Sequence, residues 1–182
     1  MRTCSLLLCL AVVPATGGCT QPAGMYQQAQ VRIVDSQLCF TVADTDEARR
    51  TPPMLTAISV NRFTGADWEY VWRWITPLEP AVTLTADECI PFGTALVAGG
   101  SNELVATLQP GERYGVSINS QIVNPVSGGD PTVGRIYSRH FCLQSSAGAG
   151  LAVIEVPRVR GELQWEVCGP QVMGDSGAAN EA

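Results

Sequence analysis

The chain reads as an all-β protein folded as a single Greek-key β-sandwich. Three observations predict this. Short alternating or β-branched runs recur between turn signals, with no amphipathic helical stretch of useful length between them. The segment Leu108-Gln109-Pro110-Gly111-Glu112-Arg113-Tyr114 sets a Pro-Gly turn just ahead of a strand that alternates Tyr114, Val116, Ile118. Four widely spaced cysteines, Cys39, Cys89, Cys142 and Cys168, suit a disulfide-stabilised domain.

The strands are expected in this order. Gln30–Val34 and Leu38–Val42 flank an Asp35-Ser36 turn, and a polar loop runs from Ala43 to Pro53. Met54–Phe63 and Trp68–Ile75 form a hairpin around Thr64-Gly65-Ala66-Asp67. Val82–Leu84 is short, and Ala86–Phe92 is irregular and carries Cys89. A turn at Ala98–Asn102 precedes Glu103–Leu108, and Arg113–Val123 is a long strand. After the loop Asn124–Gly134 come Arg135–Gln144, Leu151–Val156 and Glu162–Cys168, the last expected to close the sheet. The tail from Gly174 to Ala182 is small and polar and is expected to be disordered. The domain is thus placed at residues 30–173.

The L-x-P-G-x-x-Y pattern is the more specific fold signal. Proline presets φ, glycine supplies a positive φ, and the tyrosine hydroxyl is expected to bond backbone a few residues upstream. That corner is characteristic of immunoglobulin- and fibronectin-like sandwiches.

The N-terminus reads as an address. Arg2 precedes the apolar run Ser5–Val13, which Pro14 breaks. The run is too short to span a bilayer, which needs about 20 apolar residues, and has the length of a signal-peptide core. Small residues Ala15, Thr16, Gly17 and Gly18 then lead to Cys19, as in a bacterial lipobox, although Thr16 stands where an aliphatic residue is usual. Residues 1–18 are expected to be a lipoprotein signal peptide, Cys19 the lipidated residue, and 19–29 an uncharged flexible linker. The competing reading is an ordinary secretory signal with a chance cysteine. Several acyl chains give stable anchoring, and Thr20, not Asp, after the cysteine favours the periplasmic side of the outer membrane.

Composition narrows the partners. The chain has no lysine; its 11 basic residues face 17 acidic ones, a net charge of −6. No basic stripe suits nucleic acid, and the membrane is met through lipid, not through a polybasic patch. Of seven cysteines, Cys4 and Cys9 leave with the signal peptide and Cys19 with the anchor. Four remain, an even number in an oxidising compartment. Three pairings are possible, and the tendency of sequential strands to be neighbours favours Cys39–Cys89 and Cys142–Cys168. Cys39, Cys142 and Cys168 alternate onto the polar sides of their strands, which suggests bridges on the outer surface or across strand ends.

Chemistry-bearing residues are sparse. His140 is the only histidine and is read as a surface or satisfied side chain. Nothing near the serines resembles a nucleophile elbow. Asp44-Thr45-Asp46-Glu47, beside Arg49-Arg50, and Asp87-Glu88 read as solvated loop charge. The cysteine spacing does not suit zinc, and the glycine-rich Ser127–Asp130 loop does not fit a phosphate cradle. No enzyme activity, cofactor, metal or small-molecule substrate is expected.

The segment Trp68-Glu69-Tyr70-Val71-Trp72-Arg73-Trp74 is the most informative. Strand alternation would put Trp68, Tyr70, Trp72 and Trp74 on one face. That face is either the sandwich core or an aromatic platform for a protein or sugar.

Four blocks in order, VRIVDSQLCFTV, RRTPPMLTAISVNR with WEYVWRW, DECIPFG, and LQPGERYGVSINSQI with GRIYSRHFCL, stand behind the lipobox. Together they resemble the type VI secretion immunity periplasmic lipoproteins of enterobacterial type. The likeness covers Val31 to Leu143; the segment after Gln144, with Cys168, matches nothing in the family. It implies a protein that binds and blocks an injected toxin and converts nothing. The loops Ala43–Pro53 and Asn124–Gly134 and the exposed part of Trp68–Trp74 are the expected contact regions. Two other roles fit the same residues, a structural accessory lipoprotein of a secretion or assembly machinery and a glycan-binding module.

Overall fold

A computed structural model of the chain describes residues 24–77, 79–123, 132–146 and 150–169. The expected signal peptide, Cys19, residues 124–131 of the expected loop and the C-terminal tail lie outside the described residues.

The fold is all-β, as expected. One curled mixed sheet holds β1 (Tyr26–Val34), β2 (Gln37–Val42), β3 (Met54–Phe63), β4 (Trp68–Ile75), β5 (Val82–Thr83), β6 (Ile90–Pro91), β7 (Ser101–Leu104), β8 (Arg113–Val123), β9 (Thr132–Ser146) and β10 (Gly150–Glu155). The order is β6-β2-β1-β9-β8-β3-β4-β7, with β10 added to β9 and β5 to β3. A separate ribbon pairs β11 (Arg158–Val159) with β12 (Glu162–Leu163).

β1 is the strand on which the curl turns. Its first residues, Tyr26–Gln28, run parallel to β9, whereas Ala29–Val34 pair antiparallel with β2. Changing partner mid-strand carries β2 and β6 across the core. Phe40 on β2 thereby stacks on Trp72 of β4 at 6.1 Å between centroids and meets Phe141 of β9 at a tilt, also at 6.1 Å. The core between them is filled by Val42, Ile58, Val60, Trp74, Tyr114, Ile118 and Leu143. Aromatic side chains of this size dominate the energetics of such a core.

Three expected boundaries hold to the residue: β3, β4 and β8 run as the alternation and turn chemistry place them. Others shift. β1 starts at Tyr26, so the stretch read as tether up to residue 29 contributes a strand, and Ala29 is fully buried. The Ala43–Pro53 loop contains a helical turn, α1 (Asp46–Arg50). Thr45 caps it by accepting from the Ala48 N–H at 3.1 Å, and Glu47 receives a bidentate pair from Arg135 at 2.7 and 3.3 Å. β7 ends at Leu104, where the Val105 and Ala106 amides converge on the single carbonyl of Val71, the bulged residue of its partner β4, and the regular ladder stops. Glu162–Cys168 does not close the sheet. It forms β12 and then a 3-10 turn over Trp165–Cys168.

The Tyr114 corner forms. Its hydroxyl accepts from the Gln109 N–H at 2.7 Å and donates to Glu112 Oε2 at 2.6 Å. The ring is fully buried against Phe141 at 5.5 Å.

Both disulfides have the favoured pairing. Cys39 on β2 joins Cys89 just before β6, with Cα atoms 5.3 Å apart, and Cys142 on β9 joins Cys168 of the 3-10 turn at 5.9 Å. Cys142 does lie on the outer side of the sheet, but it is not exposed. Val156, Ile154, Leu163 and Trp165 pack with the bridge into a second small apolar cluster. The C-terminal segment thus covers part of the sheet's outer face and is fastened there by sulfur.

Candidate functional site

The aromatic strand does not present one face. In the β3–β4 ladder Val60 pairs with Trp72, but Asn61 pairs with Tyr70. Val71 is therefore an extra residue, a β-bulge, and a bulge reverses the facing of everything beyond it. Trp72 and Trp74 point into the core and are 0% exposed. Trp68 and Tyr70 point outward and are 42% and 55% exposed. Strict alternation fails because the register of β4 is set by its partner strands as well as by its own pattern. The core reading describes Trp72 and Trp74, and Trp68 and Tyr70 lie outside that core.

The core half is fixed by specific contacts. The Trp72 indole N–H donates to Asn102 Oδ1 at 2.8 Å, and Phe92 meets its ring edge-on at 5.4 Å. Trp74 lies against Gly100, where an added Cβ would stand 2.9 Å from the indole and 2.8 Å from the Ile75 carbonyl. Only a residue without a side chain fits there.

The outward half belongs to a second aromatic cluster. Trp68 packs on Phe63 at 5.2 Å, His140 at 5.5 Å and Trp165 at 6.2 Å. The Arg113 guanidinium covers the Trp165 ring at 5.4 Å. Tyr70 stands further along the same strand with the Arg73 guanidinium 5.4 Å from its ring centroid. Arg73 is itself paired with Glu103 at 3.0 Å. The result is a rigid surface of aromatic rings edged by guanidiniums. It is held from below by the sheet and from one side by the disulfide-fastened C-terminal cover.

His140 sits where this surface meets a cleft of about 280 Å³. Burial, and then the positive charges of Arg158 and Arg139, hold its pKa below the ordinary value. The imidazole packs against two indoles, Trp68 at 5.5 Å and Trp165 edge-on at 5.9 Å. Asp44 and Asp46 share Arg49 and Glu47 pairs with Arg135, so each carboxylate of this cluster has a guanidinium partner. Among the described residues no three or more His, Cys, Asp or Glu side chains are grouped to hold a metal.

The pattern of the sequence does not reveal Phe63, His140 and Trp165 as neighbours of Trp68, or Arg113 as the cover of Trp165. They come from β3, β8, β9 and the C-terminal turn. The signal that would have found them is the spare aromatic at Trp165, beyond the last regular strand. Compared with known protein families, curated proteins and solved structures, the chain matches none.

Proposed function

We propose that this chain is a lipid-anchored periplasmic protein that binds and neutralises a toxin delivered by a type VI secretion system. The observation that carries the binding role is the bulge at Val71, which turns Trp68 and Tyr70 out of the core onto a stiff surface. Tyrosine, tryptophan and arginine are the residue types that dominate interface energy. A surface already held by a sheet and a disulfide loses little entropy on binding. The toxin-directed role rests on the four-block resemblance from Val31 to Leu143, and the periplasmic, outer-membrane placement on the lipobox-like approach to Cys19. The negative net charge favours a cationic partner through steering and complementarity.

The Tyr114 corner and the strand that changes partner between β9 and β2 support an immunoglobulin- or fibronectin-like Greek-key sandwich.

The test is a contact-dependent growth competition. A strain lacking this gene is grown on a surface against its parent, with the parent's secretion apparatus intact or disabled. Selective killing of the mutant only when the apparatus works is the expected result. Equal survival in both settings would remove the immunity role and leave a structural accessory lipoprotein as the reading.

A further inference from the structure

The sheet contains a gap that the aromatic surface does not use. β1 pairs with β9 as far as Gln28 opposite Ser138 and then leaves for β2. β10 joins β9 only from Glu155 opposite Phe141. Arg139 and His140 fall between, and there the cleft of about 280 Å³ opens, walled by Gln27, Gln28 and Ser138 and by Arg158 from the β11–β12 ribbon. No Asp or Glu lines it. In a chain of net charge −6 that is a local reversal of sign.

The two arginines are positioned mainly by neutral partners. Arg139 donates from Nε to the Ala29 carbonyl at 3.1 Å and from Nη2 to Gln28 Oε1 at 3.0 Å, with Glu155 at 3.5 Å. Arg158 donates to the Gly161 carbonyl at 2.5 Å and makes no ion pair among the described residues. Their charge is therefore only partly compensated. Both lower the pKa of His140, so both fields reach the cleft.

The geometry points to an oxyanion site in this cleft, one that takes a phosphate group. Arg158 and the remaining Nη donors of Arg139 face the anion, as guanidiniums do for phosphate. The Ser138 hydroxyl and the Gln28 amide supply neutral donors beside them. The phosphate comes either from a soluble phosphate compound or from the head group of a membrane lipid. The second source rests on the anchored reading, because Tyr26, within the stretch 19–29 expected as tether, also lines the cleft.

The full-length chain in neutral detergent is titrated with sodium phosphate at constant ionic strength, following the ring signals of its single histidine by NMR. The site predicts a saturable displacement, weakened about tenfold or more in Arg158→Gln. Arg158 is on the exposed ribbon and not in the core, so this variant keeps the fold. Vesicles of phosphatidylglycerol that compete for the same signal identify a lipid head group as the source. Vesicles that leave the titration unchanged assign the site to soluble phosphate. No saturable displacement with phosphate or vesicles, or an unchanged midpoint in Arg158→Gln, overturns the site. Neither outcome depends on the growth competition.

Discussion

Trp68 lies directly on Gly115: a methyl group added to that glycine would stand 3.1 Å from the indole and 3.4 Å from the His140 ring. Gly115 pairs with His140 across β8 and β9 and with Asn61 across β3. The bare backbone is what lets the indole settle against the sheet. Gly115→Ala is expected to lift Trp68 and cost about 1–3 kcal/mol through overpacking. Urea unfolding measures the loss, and a red shift of tryptophan emission reports the displaced ring.

The bulge makes adjacent aromatics unequal. Trp72→Ala is expected to cost about 3–5 kcal/mol, the range for emptying a packed core site. Tyr70→Ala is expected within about 0.5 kcal/mol of the wild type, as for an exposed position. Denaturant midpoints of the two variants check this. Similar losses in both would place them on one face after all.

Strand positions in this protein were largely readable, and facing was not. Met54–Phe63, Trp68–Ile75 and Arg113–Val123 announce themselves through alternation bounded by Thr-Gly-Ala-Asp and Pro-Gly turns, which are local signals. The Tyr114 corner is likewise local, and the disulfide pairs follow chain order. The Val71 bulge leaves only a faint mark in Trp68–Trp74, an apolar Val71 at the off-face position where Glu69 and Arg73 are polar, and it is the pairing with Val60 and Asn61 that creates the slip. The cleft is equally hidden: Gln28 and Arg139 meet only because β1 lies parallel to β9 across more than half the chain. Trp165, Val167 and Cys168 favour a strand by type, and the bridge to Cys142 holds them in a 3-10 turn instead.

The Cys142–Cys168 bridge fastens the cover over the outer cluster. Its sequence separation is 26 residues, which corresponds to about 3.5 kcal/mol in the chain-entropy treatment. Replacing both cysteines with serine is expected to lower stability by about that amount and to free Trp165 from Trp68 and Phe63. Non-reduced peptide mapping is expected to give Cys39–Cys89 and Cys142–Cys168, and a Cys39–Cys142 peptide would contradict the fold.

His140 makes stability fall on mild acidification. Its folded-state pKa lies below the ordinary value of about 6.5. As pH drops through that value the unfolded chain takes the proton first, so stability declines until pH falls below the folded-state pKa. In His140→Gln this part of the decline is absent. Between pH 7.5 and pH 5 the unfolding midpoint of the wild type is expected to fall relative to that of the variant, and a difference that does not change with pH would contradict this.

The most direct test of the account joins the surface to the role. The strain lacking this gene is complemented with the wild-type gene or with a Trp68→Ala, Tyr70→Ala double variant at equal protein level. Each strain then competes on a surface with the parent. The account predicts that the wild-type copy restores survival and the double variant does not, and that the difference vanishes when the parent's secretion apparatus is disabled. Full protection by the double variant would contradict the assignment of the outward aromatic surface as the toxin-binding site.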